Sequence, residues 1–277
     1  MTKNIDEQVV ADFGREWSQF DQSNIPIEEL RNRFEQYFSL FPWDMLAQDA
    51  EGFDLGCGSG RWAYFCASRV GKLYCIDPAV SALDVAKKKL SQFDNCIFYN
   101  AGVYDIPLND SSMDFGYSLG VLHHIPDTEN GIKNCVKKLK PSAPFLLYLY
   151  YAFDNRPLWF KAIWRLSDIL RRGISILPYP LKYFITQLIA LFVYFPLSRF
   201  ARFFEALSFN VTNLPLSSYR NKSFHTLRTD ALDRFGTRLE KRFTKSQIEE
   251  MMRQSGLERI EFRDKQPFWC AIGFRVA

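Results

Sequence analysis

Three glycines spaced one residue apart, Gly56, Gly58 and Gly60, follow an apolar run that ends in Phe53, Asp54 and Leu55. Glycine lets a chain turn sharply from strand to helix and leaves bare backbone N–H groups where a ligand can approach. The spacing G-x-G-x-G departs from the G-x-G-x-x-G of dinucleotide sites. Asp54 beside the loop carries a carboxylate that repels a pyrophosphate and attracts an ammonium. About twenty residues on, Asp77 closes the next apolar run, where a carboxylate can accept hydrogen bonds from ribose hydroxyls. The chemistry anticipated is the binding of a small cofactor with a cation and a ribose. A lone glycine string reads equally well as a tight turn, and a dehydrogenase is the main rival, disfavoured by the spacing.

Other residues could act on an acceptor. His123 and His124 follow the apolar run at 114–120 and titrate near neutrality, so His124 is a candidate general base, the alternative being that one histidine only packs and orients its loop. Tyr148, Tyr150 and Tyr151 end a later run, followed by Asp154, Asn155 and Arg156. Tyrosine faces can hold a cation and tyrosine hydroxyls can orient an acceptor, although strand tyrosines more often pack against helices. Tyr151 and Asn155 are the better catalytic candidates of this group, with Tyr150 and Arg156 as acceptor contacts. The stretch 219–238 is dense in Arg, Asp, Thr and His. There Tyr219 and Arg228 could bind an acceptor carboxylate or phosphate and His225 competes with His124 as base, unless the stretch is a solvated, salt-bridged loop.

These residues need a scaffold. From Glu51 short apolar runs alternate with amphipathic stretches, the pattern of β-α-β units. Strands are expected at 51–56, 72–77, 96–100, 114–120 and 144–151, with helices between them, one ending in Lys87, Lys88 and Lys89, where cations favour the helix dipole. Thr244 with Gln247 forms a capping box, Gly256 supplies a helix stop, and 257–263 and 268–275 read as an antiparallel pair joined by Asp264 to Pro267. Residues 1–48 read as a helical lead-in anchored by Phe13, Trp17, Phe20, Phe34 and Phe38. The core then comprises 49–151 and 243–277, and 152–242 is an insertion of different character.

At the glycine loop and Asp77 the sequence resembles the class I S-adenosylmethionine-dependent methyltransferases, over roughly 51–150 and again 243–277. The acidic residue followed by x-G-x-G-x-G is met by Asp54, Gly56, Gly58 and Gly60, and the ribose acid by Asp77. The segments at 112–127 and 139–150 resemble the family's fourth strand with its loop and the entry to its fifth. The resemblance implies an α/β, Rossmann-like sheet of seven strands, six parallel and one antiparallel, with a helical aromatic insertion after strand five. It implies S-adenosylmethionine as cofactor, held by Asp54, Gly56, Cys57, Gly58, Gly60, Asp77, Pro78, Gly102, Val103, Leu119 and Gly120. Gly102 stands where the family usually has an acid, so adenine recognition falls to backbone groups at Gly102 and Val103. Methyl transfer from a sulfonium requires acceptor alignment, exclusion of water and, for some acceptors, proton removal. No metal is required.

At 277 residues, 47% hydrophobic and 24% charged, the chain can bury a full core, which excludes intrinsic disorder and short disulfide scaffolds. Acidic residues near the start argue against a secretory leader, and six cysteines without C-x-x-C spacing fit a reducing compartment, so a cytoplasmic protein is expected. The net charge of +4 hides a stretch from Arg156 to Arg202 that carries +7. Inside it, residues 183–195 form a nearly uncharged run that stops at Pro196, too short to span a bilayer. Two readings stay open for the insertion: a lid that closes a dry acceptor pocket, favoured because Pro178 and Pro180 interrupt any longer helix, and peripheral contact of 156–202 with a membrane. No nucleic-acid platform is visible. The expected reaction is methyl transfer to a small-molecule or lipid- or glycan-linked acceptor. The alternatives are a lyase or cyclase acting on the cofactor itself, or a non-catalytic cofactor-binding subunit.

Overall fold

The computed structural model describes residues 4–19 and 25–277; Phe20, expected among the anchoring aromatics, lies outside them. In chain order the first elements are helices α1 (Glu7–Gln19) and α2 (Ile27–Tyr37), strand β1 (Glu51–Leu55), the short helix α3 (Ala63–Cys66), β2 (Lys72–Asp77), α4 (Val80–Lys89), β3 (Cys96–Asn100), β4 (Phe115–Leu119), α5 (Thr128–Lys138) and β5 (Pro144–Tyr148). Then come α6 (Leu158–Ser175), α7 (Tyr179–Ile189), α8 (Phe195–Ala206), α9 (Phe224–Gly236), α10 (Lys245–Gln254), β6 (Leu257–Phe262) and β7 (Ala271–Arg275). By its internal contacts the chain divides into two units, one of Met1–Gln22, Leu30–Ala152 and Leu239–Ala277, the other of Ser23–Glu29 and Phe153–Arg238.

The first unit holds a seven-stranded sheet in the order β3-β2-β1-β4-β5-β7-β6, with β7 antiparallel to both its neighbours and the other six strands parallel. β4 is buried at every position and β5 at four of its five, as expected of central strands covered on both faces. Glycines set the fit between β1 and β4. Gly52 pairs with Phe115 and Phe53 with Gly116, and a Cβ on either glycine would meet the opposite phenyl ring at 2.3 Å. At α10 both halves of the Thr244–Gln247 capping box are present, and Gly256 takes a φ of 87° just beyond the helix.

Two strand boundaries differ from expectation. β5 stops at Tyr148, and Tyr151 makes only an isolated parallel bridge to Phe243. β7 starts at Ala271, so the connection from β6 is longer than Asp264 to Pro267.

The second unit is helical, with α6 and α7 both packed on α9 and a small core of Ala190, Tyr194, Leu227, Ala231 and Phe235. Glu29 at the start of α2 accepts hydrogen bonds from Ser223 N and Thr226 Oγ1 at 3.1 and 2.7 Å. The apolar run at 183–195 does not stop at Pro196. α7 passes into a π turn over Ala190–Tyr194, where Phe195 N donates to Ala190 O five residues back, and α8 continues from it. The widened turn accommodates a proline that lacks an N–H and crowds the preceding carbonyl. Pro180 starts α7 in its first turn and Pro178 caps it, so neither interrupts the 28-residue stretch Tyr179–Ala206.

Three of the eight cations counted between Arg156 and Arg202 are buried and serve the fold. Arg156 donates to Thr212 O and Asn213 Oδ1, Arg171 to Asp168 and Thr237 O, and Lys182 to Gly236 O. The basic surface inferred from their number is correspondingly smaller.

Candidate functional site

Within the first unit, β1 runs into the glycine loop. Gly56, Gly58 and Gly60 take φ of 75°, 53° and 73°, a region closed to most side chains. A Cβ on Gly56 would lie 2.4 Å from Val121 Cγ2. The loop hangs from β2 by backbone hydrogen bonds, Gly56 N and Cys57 N both donating to Ile76 O at 2.7 and 3.2 Å. Its other tether is Asp77, whose Oδ2 accepts from Gly58 N and Oδ1 from Ala79 N, each at 2.9 Å.

These atoms border an open cavity. Cys57, Pro78, Gly102, Val103, Leu119 and Gly120 all line it, together with Gly56 and Gly58, whereas Gly60 lies outside the lining, packed toward Leu90 and Ala86. A wall that the sequence did not announce comes from the N-terminal segment: Asn4, Ile5, Val9, Val10, Phe13 and Trp17 line the same cavity. Asn4 is fixed to the loop after β4 by reciprocal bonds, its Nδ2 donating to Asp127 O and its Oδ1 accepting from Asp127 N, both at 2.7 Å. α1 lies on α4 closely enough that a Cβ on Gly14 would meet Ser81 Oγ at 2.6 Å. Trp17 is flanked by Arg61, whose guanidinium carbon sits 5.3 Å from the indole centroid. The signal available in the sequence was the apolar spacing of Val9, Val10, Phe13 and Trp17, which marks a buried helix face without saying what it faces.

The two acids differ. Asp77 reaches the cavity, and burial pushes its carboxyl up to about 6 against the pull of the Ala79 and Gly58 N–H donors. Asp54 lies behind the loop, outside the cavity lining, and its Oδ2 has no hydrogen-bond partner. Burial raises its carboxyl to about 8, with the Asp77 charge adding to the effect and Tyr117 and Arg61 opposing it.

The histidines also part company. His123 is fully buried, stacked on Tyr150 at 3.8 Å, with neither ring nitrogen hydrogen-bonded, and burial holds it well below the usual imidazole range. His124 lines the cavity, with its ring 4.9 Å from Phe13. Its Nδ1 lies 2.7 Å from Leu239 O, so that nitrogen carries the proton and Nε2, which has no partner, presents a lone pair.

The remaining sequence candidates sit elsewhere. Tyr150 and Tyr151 are outside the cavity lining; Tyr150 is occupied by His123 and by Arg242 at 5.0 Å, and Tyr151 packs on Phe268 at 5.4 Å. Asn155 is exposed in the second unit. In that unit Arg156 is committed to Thr212 and Asn213, Arg228 donates to Gln187 and Tyr183, and Tyr219 packs against Tyr194 and Lys222. His225 lies in the first turn of α9, where its carbonyl accepts from Thr229. These residues form the second unit's internal framework. All six cysteines are free, and no cluster of metal-ligating side chains occurs among the described residues.

Residues 53–147 match the family of methyltransferase domains. Over 106 residues the chain is 26% identical to a sterol 4-C-methyltransferase of Caenorhabditis elegans, covering 37% of this chain and 32% of that one. It is 31% identical over 110 residues to the ubiquinone biosynthesis O-methyltransferase of Coxiella burnetii, covering 39% of this chain and 44% of the relative. The chain thus spans less than half of either curated relative. Among solved structures, a candidate methyltransferase of Bacillus halodurans superposes with a TM-score of 0.51 at 14% identity, over 84% of this chain and 72% of the other. The YcgJ protein of Bacillus subtilis gives 0.51 at 12% identity, over 91% of this chain and all of its own. Both share the fold. With that sheet order, the three-glycine loop and the acid ending β2 in one unit, the chain carries a class I S-adenosylmethionine-dependent methyltransferase domain.

Proposed function

We propose that the protein transfers a methyl group from S-adenosylmethionine to a hydroxyl or amine of an apolar small-molecule or lipid- or glycan-linked acceptor. The residues present fit this cofactor: Gly56 and Gly58 line the cavity with bare backbone, and Asp77 faces it as an acceptor with lone pairs beyond those used by Gly58 and Ala79. When bound, S-adenosylmethionine supplies a methyl group already activated on a sulfonium. Gly56 and Gly58 bring bare backbone up to the cofactor, Gly102 and Val103 offer backbone to the adenine, and Asp77 accepts from the ribose. Asp54, behind the loop and outside the cavity lining, has its carboxyl raised to about 8 and so carries no charge toward the cofactor near neutrality. α1 and its Phe13 and Trp17 exclude water from the cavity.

The acceptor proton falls to His124. Leu239 O fixes the tautomer, so Nε2 can take a proton from an incoming hydroxyl or ammonium while Nδ1–H stays bonded. A histidine that lines the glycine-loop cavity, with its Nε2 buried and unpartnered, is the observation that carries the proposal. The apolar lining, and relatives whose names place them on a sterol and in ubiquinone biosynthesis, support an apolar acceptor. We assign the inserted unit the role of closing the acceptor pocket, which predicts protection of 183–195 from proteolysis when cofactor and acceptor are both present.

The test is incubation with methyl-labelled cofactor and a lipid and metabolite extract. S-adenosylhomocysteine formed only with extract supports transfer. Methylthioadenosine formed without any acceptor identifies a lyase or cyclase, and binding without turnover in any extract identifies a non-catalytic subunit.

A further inference from the structure

The second unit is built inside out. In α6 the buried side chains are Asp168, Arg171 and Ser175, whereas Leu158, Ile163, Leu166, Ile169 and Leu170 are exposed, Leu158 by 82% and Ile169 by 67%. Along Tyr179–Ala206 the buried positions are Lys182, Thr186, Ala190, Tyr194, Ser198 and Ala201, three or four residues apart and mostly polar or small. The outward side chains of the same stretch include Phe184, Leu188, Phe192, Phe200 and Phe203. Of the twenty-five large apolar side chains exposed among the described residues, twenty lie between Leu158 and Phe224. A helix of a water-soluble protein turns its apolar stripe inward, and soluble monomers rarely leave large apolar patches uncovered. These helices present theirs to an apolar surrounding.

Charge identifies that surrounding. Between Asn155 and Phe204 the sequence holds one acid, Asp168, and it is buried and paired with Arg171, Arg172 and Arg234 at 2.7, 3.0 and 3.6 Å. The exposed charges of this stretch are Arg165, Arg172 and Arg202, with Lys161 half-buried. At 3.6 residues per turn Lys161, Arg165 and Arg172 share one flank of α6, beside the outward-facing Leu158, Ile169 and Ile176. The stretch Tyr179–Ala206 adds one exposed acid near its end, Glu205, ion-paired with Arg220 at 2.7 Å. An apolar face edged with cations, its acids paired to arginines, matches the boundary of an anionic bilayer. A second copy of the same surface would bring like charges together. Tyr179–Ala206 has the length to cross a membrane, yet Lys182 anchors its buried stripe to Gly236 O of α9, leaving a single face for lipid.

We infer that the outward faces of α6 and of Tyr179–Ala206 dock the protein on an anionic lipid bilayer without crossing it. The apolar side chains enter the acyl boundary, and Lys161, Arg165, Arg172 and Arg202 meet headgroup phosphates. Docking is independent of methyl transfer and needs neither cofactor nor acceptor.

The experiment is sedimentation of the full chain with vesicles of phosphatidylcholine alone and of phosphatidylcholine mixed equally with phosphatidylglycerol. The protein is expected to pellet with the mixed vesicles and to be released as salt rises. Arg165→Gln and Arg172→Gln each weaken the partition about fivefold, the equivalent of about 1 kcal/mol per surface cation. Leu166→Asp with Ile169→Asp abolishes it while the helical circular dichroism and the cooperative melting of the wild type are retained, which confirms that the second unit is folded. Trp159, on the exposed face, gives a blue shift on the mixed vesicles that Trp159→Phe removes. Wild-type protein that stays in the supernatant with mixed vesicles overturns the inference. So does a dimer that the Leu166→Asp, Ile169→Asp variant dissociates without any vesicle binding by the wild type.

Discussion

The indole of Trp17 lies against Gly58, so close that a Cβ on the glycine would sit 3.1 Å from Trp17 Nε1. The N-terminal helix and the glycine loop are therefore one structure. Gly58→Ala adds a methyl group at a φ of 53°, costing about 1–2 kcal/mol in backbone strain before the indole is displaced. Calorimetry should show cofactor affinity reduced at least about tenfold, the equivalent of about 1.4 kcal/mol. Trp17→Ala should weaken the cofactor too, with the melting transition still cooperative.

Cofactor binding through Asp77 should depend on pH. Its carboxyl is raised to about 6, and the ionised form is the better acceptor for ribose hydroxyls. As pH falls through about 6 the group protonates and affinity should drop; between 7 and 8 this group contributes no change. Asp77→Asn should bind weakly and lose the inflection near 6 in a plot of Kd against pH.

Asp54 acts on stability in the opposite direction. A carboxyl raised from 3.8 to about 8 by burial holds its proton in the folded chain after the unfolded chain has lost it. Its contribution is therefore fully present below 3.8, declines as pH rises and is gone above about 8. Compared with wild type, cofactor-free Asp54→Asn should be relatively more stable above about 8 than at pH 5, which denaturant titrations at the two pH values would measure.

His124→Gln should reduce turnover by about 10²- to 10⁴-fold, the range for loss of a general base, with cofactor affinity little altered. His123→Phe keeps the stacking on Tyr150 and removes two buried nitrogens without partners. Its melting temperature should be unchanged or higher and its turnover near wild type; a collapse of activity in His123→Phe alone would reverse the roles of the pair.

Arg171 and Arg172 are adjacent in sequence and opposite in consequence. Arg171 is 5% exposed, bonded to Asp168 and Thr237 O, so Arg171→Glu should cost about 3–5 kcal/mol by leaving buried charge uncompensated. Arg172 has a side chain 75% exposed, and Arg172→Glu should move stability by under about 1 kcal/mol in denaturant titrations.

The sheet was legible because its signals are local: strand alternation, the Thr244–Gln247 box and the stop at Gly256 each depend on a few neighbouring residues. The glycine loop and Asp77 were legible for the same reason. The wall made by Val9, Phe13 and Trp17 was not, since a helix's periodicity gives its buried face and not its neighbour. Counting cations between Arg156 and Arg202 overstated the charged surface because Arg156, Arg171 and Lys182 cap backbone carbonyls that no spacing reveals. The aromatics of 183–195 read as the lining of a pocket, yet Phe184 and Phe192 are exposed. Hydrophobicity alone does not say which side of a helix is inside.

The outward-facing leucines and phenylalanines of α6, α7 and α8 also bear on the heat capacity of the chain. Unfolding raises heat capacity by wetting apolar surface that the native state keeps dry, and here a large share of that surface is wet from the start. In dilute buffer the increment on unfolding therefore falls below the ordinary per-residue value, giving a flatter curve of stability against temperature and a shallower dependence on denaturant than a soluble chain of 277 residues would show.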